Sequence, residues 1–229
     1  AYRNVPFDLN HGHQQTLVGM TTFEVIHEDV INELTQMYPL IKNLVKDDQA
    51  IIEAGFKKWA ENIIANGVPH NNWDLFQADF IVKIALVLQD DQAYADGKGK
   101  QYYLDYVVNQ NSIRQWSVNK LIDFGFDARS KTWYESPGYS TTVLGLLGEF
   151  SNMLDEKAGI DLFQKRPILV DAVKNSAEYL FPNRMIAGFG DTHPGYLNTG
   201  GIDQVLKYAT RHKNKNLISE MNLLKSAVA

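Results

Sequence analysis

Residues 131–140 (KTWYESPGYS) bring aromatic rings, a carboxylate and hydroxyl groups together in one short segment. Pro137 fixes its own φ angle and Gly138 tolerates positive φ, so the sequence predicts a sharp turn at this point. We expect Tyr139 to project from the start of the helix that follows. A tyrosine held in this position can transfer protons, although a tyrosine that simply completes a turn would leave the same pattern.

Two other residues of this segment, Trp133 and Glu135, each allow a functional and a structural interpretation. The flat face of Trp133 suits stacking against a sugar ring, but a buried tryptophan would anchor the segment to the core. Glu135 can act as a general acid or base, or it can hold the turn by accepting backbone N–H groups. The residue types alone leave both interpretations open.

A second polar and aromatic cluster reads His-Asn-Asn-Trp at residues 70–73, immediately before a helical pattern. Asn71 or Asn72 can cap that helix, which is a purely structural interpretation. Gln77 lies four residues after Trp73, so the two share one helix face. An indole ring beside asparagine and histidine donors is also typical of a sugar-binding surface.

A third segment, residues 183–195, combines three glycines with Arg184, Asp191 and His193. The planar guanidinium of Arg184 suits a carboxylate or a sulfate. Asp191 and His193 are close enough in the chain to share a site. A metal centre needs more ligands than this pair offers, so we predict no metal and no cofactor. A nucleotide-phosphate loop is excluded because no strand precedes the segment and the loop has no lysine.

The elements that must position these clusters are helical, because apolar residues recur at three- and four-residue steps and predict an all-α protein. The predicted helices lie near residues 22–46, 52–66, 72–87, 98–109, from 112 onward, 143–154, 168–179, 201–211 and 215–227. Short polar connections indicate antiparallel helical hairpins, and we expect one domain over residues 1–229. Gly145 and Gly148 lower helix propensity, so we expect them to permit close backbone packing. Residues 124–140 and 181–200 interrupt the pattern, and long connections of this kind usually carry function.

The composition excludes several classes of protein. The 229 residues carry a formal net charge of −5 without any run of Lys or Arg, which argues against nucleic acid or an anionic membrane as a partner. Cysteine is absent, so disulfides and thiol catalysis are excluded. No apolar run approaches the roughly 18–20 residues of a transmembrane helix. The chain begins at Ala1 without a signal-like stretch, so we expect it to be a segment of a longer protein.

The three clusters occur in an order that resembles the heparinase II/III-like polysaccharide lyases, a group that includes alginate lyases. The resemblance rests on His70–Trp73, Tyr134–Ser140 and Gly188–Thr192, and it extends over roughly residues 50–210. Proteins of this group have an (α/α) toroid followed by antiparallel β-sheet domains. The resemblance therefore implies an incomplete (α/α) toroid whose site is completed by a missing C-terminal β-sheet domain. It also implies a periplasmic or secreted location.

The resemblance implies a reaction as well, the β-elimination of a polysaccharide that contains uronic acid, such as a glycosaminoglycan or alginate. In this chemistry Asn72, or Asn71, donates a hydrogen bond to the uronate carboxylate and stabilises the charge that develops when the C5 proton leaves. Tyr139 takes that proton. The same tyrosine, or His70, then protonates the departing O4.

Further residues are expected to bind the acidic polysaccharide. Trp73 and Trp133 would stack on sugar rings, and Arg184 would hold an acidic group at a neighbouring subsite. The other predicted substrate-binding residues are Asn71, Gln77, Glu135, Asp191 and His193.

Two alternatives remain open from the residues. A glycoside hydrolase on an (α/α) toroid would need two carboxylates that face each other across a cleft. Its candidates are Asp74, Asp79, Glu135 and Asp191. A non-catalytic carbohydrate-binding helical domain would use Trp73, Trp133 and Arg184 without any acid–base chemistry.

Overall fold

The computed structural model describes residues 29–70, 72–188 and 192–228, and it confirms the predicted all-α class. About 69% of the structure is helical, with ten α-helices and one two-stranded sheet among these residues. No helix in the described ranges is long and apolar enough to cross a membrane. The (α/α) toroid stays a prediction.

The chain divides into two compact units, and the division falls between Asp123 and Phe124 in the sequence. Unit 1 precedes this point and unit 2 follows it. The single domain expected over residues 1–229 stays a prediction.

Unit 1 is built around a helix that is apolar on most of its sides. The helices are α1 (Asp29–Ile41), α2 (Gln49–Asn66), α3 (Asn72–Val87), α4 (Lys100–Asn109) and α5 (Val118–Gly125), which reaches the boundary between the units. Helix α3 packs against α1, α2 and α4, and it buries large side chains such as Phe80, Ile81 and Ile84. A helix with neighbours on several sides has little need of a polar face, and this explains its apolar sequence.

The predicted helix start at Ser112 is wrong. The Ser112 hydroxyl accepts the backbone N–H groups of Arg114 (3.1 Å) and Gln115 (2.9 Å), so the serine stabilises a local turn. Helix α5 begins later, at Val118, where the Ser117 hydroxyl accepts the backbone N–H of Lys120. A serine followed by a glutamine three residues later suits a turn as well as a helix start.

Unit 2 consists of helices and one small β-hairpin. Its helices are α6 (Pro137–Ala158), α7 (Leu162–Lys165), α8 (Ile168–Asn175), α9 (Gly200–Arg211) and α10 (Lys215–Val228). These confirm the helices predicted near residues 143–154, 168–179, 201–211 and 215–227, although a 3-10 turn replaces the end of the helix predicted at 168–179. The strands β1 (Met185–Ile186) and β2 (Gly195–Tyr196) pair antiparallel, with Met185 opposite Tyr196.

The sharp turn predicted at Pro137 and Gly138 is also wrong. Ser136 is the N-cap of α6, and Pro137 is the first residue of the helix, where its missing N–H leaves no hydrogen bond unmade. A left-handed glycine ends this helix instead. Gly159 has φ 68° and donates its N–H to the Asp155 carbonyl at 3.2 Å.

Helices α6 and α9 approach each other closely at two glycines, as predicted. A β-carbon built at Gly148 would lie 2.6 Å from Cβ of Gln204, so no larger residue fits without displacement. A β-carbon at Gly145 would lie 3.6 Å from Cα of Gly200, which is an ordinary contact. Asn152 continues this interface, because its amide donates to the Gln204 carbonyl at 2.9 Å.

We expect the two glycines to respond differently to alanine. Gly148→Ala should lower the free energy of unfolding of unit 2 by about 1–3 kcal/mol, because the new methyl group overlaps Gln204. Gly145→Ala should be neutral or stabilising by up to about 1 kcal/mol, because alanine favours the helix and finds room. Denaturant unfolding of both variants measures the difference, and equal effects would contradict the packing described here.

Candidate active site

Asp74, in the first turn of α3, is the centre of a buried polar cluster in unit 1. The residue is fully buried, with a relative exposure of 0%. Its Oδ2 accepts the backbone N–H groups of His70 and Trp116, each at 3.1 Å. Its Oδ1 accepts a hydrogen bond from the side-chain amide of Gln115. One carboxylate therefore connects the segment before α3 to the segment before α5.

Gln77 belongs to the same hydrogen-bonded cluster. Its amide donates to Oε1 of Gln115 at 2.6 Å, and its own Oε1 accepts the backbone N–H of Val68 at 2.6 Å. We call Asp74, Gln77 and Gln115 the Asp74 clamp. Gln77 has a relative exposure of 0%. The substrate-binding role predicted for Gln77 therefore finds no support in the structure, and we take the residue as structural.

The Asp74 clamp positions a group of three side chains, of which two are exposed and one is half-buried. The imidazole of His70 lies against the indole of Trp116, with ring centroids 4.5 Å apart at 55°. The Lys120 Nζ lies 3.7 Å from the centroid of the Trp116 ring. We call His70, Trp116 and Lys120 the Trp116 platform. His70 has φ 64°, a left-handed conformation that costs energy in a residue other than glycine and is found disproportionately at functional sites.

Trp116 and Lys120 were not among the residues predicted from the sequence. They lie far along the chain from His70, and only the folded clamp brings them to it. A local pattern could not have revealed this contact, because nothing near Trp116 in the sequence refers to residues 68–77.

Burial raises the pKa of Asp74 from an ordinary 3.8 to about 7. The backbone N–H groups of His70 and Trp116 and the positive charge of Lys120 act in the opposite direction, but they offset only part of the loss of hydration. The carboxyl group therefore changes its charge near neutral pH.

The other residues predicted around this cluster have different environments. Asn72 is the first residue of α3, and it is half-buried, as is Trp73. Asn71 lies outside the described residues.

Of the carboxylates considered for a hydrolase, Asp74 is enclosed in the clamp and Asp79 pairs with Lys83 at 2.5 Å. Neither observation favours a facing pair of catalytic carboxylates.

In unit 2, Trp133 is an anchor of the core. It has a relative exposure of 3% and packs edge-to-face on Phe126, with centroids 5.2 Å apart. Gly125 makes room for it, since a β-carbon there would overlap the Trp133 ring. The Trp133 indole N–H donates to Glu135 Oε2 at 2.8 Å. The stacking role predicted for Trp133 finds no support, and Glu135 holds the indole in place.

Tyr139 lies in the first turn of α6 and has a relative exposure of 37%. The turn around it is well fixed. The Thr192 hydroxyl donates to the Ser136 hydroxyl at 3.1 Å, and a β-carbon at Gly138 would lie 3.2 Å from the Thr192 methyl group. The loop that carries the exposed His193 therefore reaches the start of the helix that carries Tyr139. Asp191, predicted to bind substrate beside His193, lies outside the described residues.

Arg184 is exposed and stands at the turn before β1, with φ 63°. Its backbone N–H donates to the Phe181 carbonyl at 2.8 Å and closes this turn. The anchoring of an acidic sugar by its guanidinium stays a prediction.

One group of potential metal ligands occurs in the part of the chain that the structure describes, and it contains no predicted site residue. Asp155, Asp161 and His212 offer ligand atoms within 4.8 Å of one another. The Asp155 Oδ2 is bound by Arg211 and by His212 Nε2, both at 2.7 Å, and Asp161 accepts the Tyr208 hydroxyl at 3.0 Å. These contacts tie α9 and its C-terminal end to α6 and the connection after it, so we interpret the group as structural.

A cavity of about 820 Å³ opens elsewhere in unit 1, beside α2 and the connection after α3. None of the predicted site residues is among the described residues that line it. Glu53 organises its wall and is 1% exposed. Its carboxylate accepts hydrogen bonds from Tyr38, Lys42, Gln49, Gln89 and Tyr94. Burial would raise the pKa of Glu53, but these bonds outweigh burial and hold the pKa below its usual value.

The raised pKa of Asp74 gives a testable dependence of stability on pH. The folded state holds the Asp74 proton more tightly than the unfolded state does, so this stabilisation is complete below about pH 4 and is lost as the pH rises through about 7. In Asp74→Asn the titration is absent. We expect the free energy of unfolding of the wild type, relative to that variant, to fall by roughly 3–4 kcal/mol between about pH 4 and about pH 8. Denaturant unfolding at several pH values measures this, and a difference independent of pH would contradict it.

Comparison with known proteins adds one match. Residues 129–228 match the family model of the second domain of endo-acting ulvan lyases. No curated protein and no solved structure matches the chain. The matched segment contains Trp133, Tyr139 and Arg184 but not residues 70–73. The match supports a polysaccharide lyase family and thus a polysaccharide substrate, without singling out the heparinase II/III-like group.

Proposed function

We propose that this chain acts in the β-elimination of an acidic polysaccharide that contains uronic acid. The observation that carries the proposal is the match of residues 129–228 to an ulvan lyase domain. Because that family is named for its action on ulvan, ulvan is the first substrate to test. Alginate and glycosaminoglycans follow from the resemblance to the heparinase II/III-like lyases.

The reaction has one difficult step, which is the removal of the C5 proton beside a carboxylate. A base takes this proton, the C4–O4 bond breaks, and the electron pair forms the C4=C5 double bond. The departing O4 takes up a proton. The new double bond, conjugated with the carboxylate, absorbs ultraviolet light, so the product is directly measurable.

Tyr139 is the proposed base and acid. Its position favours this assignment, because it is partly exposed on a turn that the contact between Thr192 and Ser136 holds in place. A catalytic base needs such fixed placement together with access to the sugar. His70 is the alternative donor of the proton to O4.

Asn72 is the proposed partner of the uronate carboxylate. As the first residue of the 16-residue helix α3, it lies at the positive end of the helix dipole, where a carboxylate is favoured. Its amide N–H groups can stabilise the charge that spreads onto the carboxylate when the C5 proton leaves. We also propose a periplasmic or secreted location and a contribution from a further β-sheet domain.

Tyr139→Phe should strongly reduce the rate at which the unsaturated product forms. The full chain is mixed with ulvan, alginate or a glycosaminoglycan, and the absorbance of the product is followed. We expect the rate to fall by about 100-fold or more, because positioned acid–base groups contribute at least this much. Tyr196→Phe is the matched control, since Tyr196 is 83% exposed and stands outside the proposed machinery, and it should retain the wild-type rate. Reducing ends released without the absorbance would indicate a hydrolase, and binding without turnover a carbohydrate-binding domain.

Asn72→Ala should reduce the same rate by about 100-fold, which is the typical loss of one donor to a developing anion. Alanine favours the first turn of α3 at least as well as asparagine, so the helix should persist. Asn43→Ala, at an exposed turn of the same unit, serves as the control. An Asn72→Ala variant with the wild-type rate would remove Asn72 from the mechanism.

A further inference from the structure

We propose that the Trp116 platform, made of His70, Trp116 and Lys120, is a binding subsite for the anionic group of a sugar. The inference deepens the proposed function and rests on it only in taking an acidic polysaccharide as the ligand. It adds two residues, Trp116 and Lys120, that lie outside the segment matched to the lyase domain.

The first argument is the placement of two hydrogen-bond donors against one ring. The Lys120 Nζ lies 3.7 Å from the Trp116 centroid, and the His70 ring centroid lies 4.5 Å from it. Both His70 and Lys120 are exposed. Each of these side chains therefore stands beside the same indole ring, where an anionic group of a bound sugar can meet a donor. Lysine offers three donors and no acceptor, which suits an anion.

The second argument is pre-organisation. A lysine on a free surface loses much side-chain entropy when it binds an anion, but the indole of Trp116 already restricts Lys120. Trp116 is half-buried, and its backbone N–H is held by Asp74.

The third argument is the way in which the platform is held. One oxygen of the fully buried Asp74 accepts the backbone N–H groups of both His70 and Trp116. This bond also holds His70 in its left-handed conformation. A left-handed conformation costs energy in a residue other than glycine, and such residues cluster at functional sites.

Lys120→Gln tests the subsite by binding. Affinity is measured for three polymers: polygalacturonate, which carries only carboxylates, dextran sulfate, which carries only sulfates, and neutral dextran. The measurements use the Tyr139→Phe background at low salt, so that turnover does not interfere. We expect Lys120→Gln to weaken binding of an anionic polymer by about fivefold or more, which corresponds to roughly 1 kcal/mol. His70→Gln should weaken it as well, and Lys120→Arg should restore most of the affinity.

Lys57→Gln is the matched control. Lys57 also lies over an aromatic ring of unit 1, with its Nζ 4.2 Å from the centroid of Tyr94, and it belongs to the wall of the separate cavity. This variant should bind all three polymers as the parent does. Titration should also change the fluorescence or the indole N–H resonance of Trp116, a signal that a purely structural role of Lys120 would not produce.

Each outcome decides for or against the subsite. If Lys120→Gln weakens the binding of polygalacturonate alone, the subsite binds a carboxylate. If it weakens the binding of dextran sulfate alone, the subsite binds a sulfate. If it weakens both, the subsite accepts either anion. Unchanged binding in Lys120→Gln, an equal loss in Lys57→Gln, or equally tight binding of neutral dextran would overturn it.

The binding experiment and the lyase assay test the subsite and the proposed function separately. If no polysaccharide yields unsaturated product while binding still depends on Lys120, the proposed function fails and the subsite stands. If product forms and kcat/KM is the same in Lys120→Gln as in the parent enzyme, the subsite fails and the proposed function stands.

Discussion

The burial of the Asp74 carboxylate is the constraint on which the arrangement of the candidate site in unit 1 depends. A carboxylate without water is stable only when protein donors surround it, and here two backbone N–H groups and the Gln115 amide do so. Those donors belong to segments that are distant in the sequence. By satisfying one carboxylate, the two segments acquire a fixed separation, and the side chains of His70 and Trp116 meet as a result.

In unit 2 the segment at residues 131–140 has a buried part and an exposed part. Trp133 fills the space that Gly125 leaves open, and Glu135 satisfies its indole N–H. Tyr139, a few residues later, reaches the surface at the start of α6. Trp133 and Tyr139 therefore have different surroundings, since the first anchors the segment in the core and the second is accessible from solvent. The buried part gives the exposed part its fixed position.

Most of the helices could be predicted from the sequence. Burial of one helix face makes apolar residues recur every three or four positions, and this pattern is visible in a short stretch of sequence. The sequence also predicted the close packing at Gly148, because glycine lowers helix stability and is favoured inside a helix mainly where a larger side chain would not fit. It failed at Ser112 and at Pro137, where the same residue types suit both a turn and a helix start. The sequence could not predict the Trp116 platform, because Lys120 and His70 approach the same ring only through a buried contact between segments that are distant in the chain.

The two glycines of α6 have a mechanical consequence for unit 2. Their close contact fixes α9 against the middle of α6, while Asp155 holds Arg211 and His212 at the far end of α9. A sliding motion of α9 would drive Gln204 into Gly148 and break the contacts of Asp155, so the positions of the two helices are coupled. Gly200 and Gly201, which begin α9, belong to the same interface, because a β-carbon at Gly200 would lie 3.5 Å from Gly145 Cα and one at Gly201 3.0 Å from Leu144 Cβ. Helix α9 is therefore held against α6 at both of its ends.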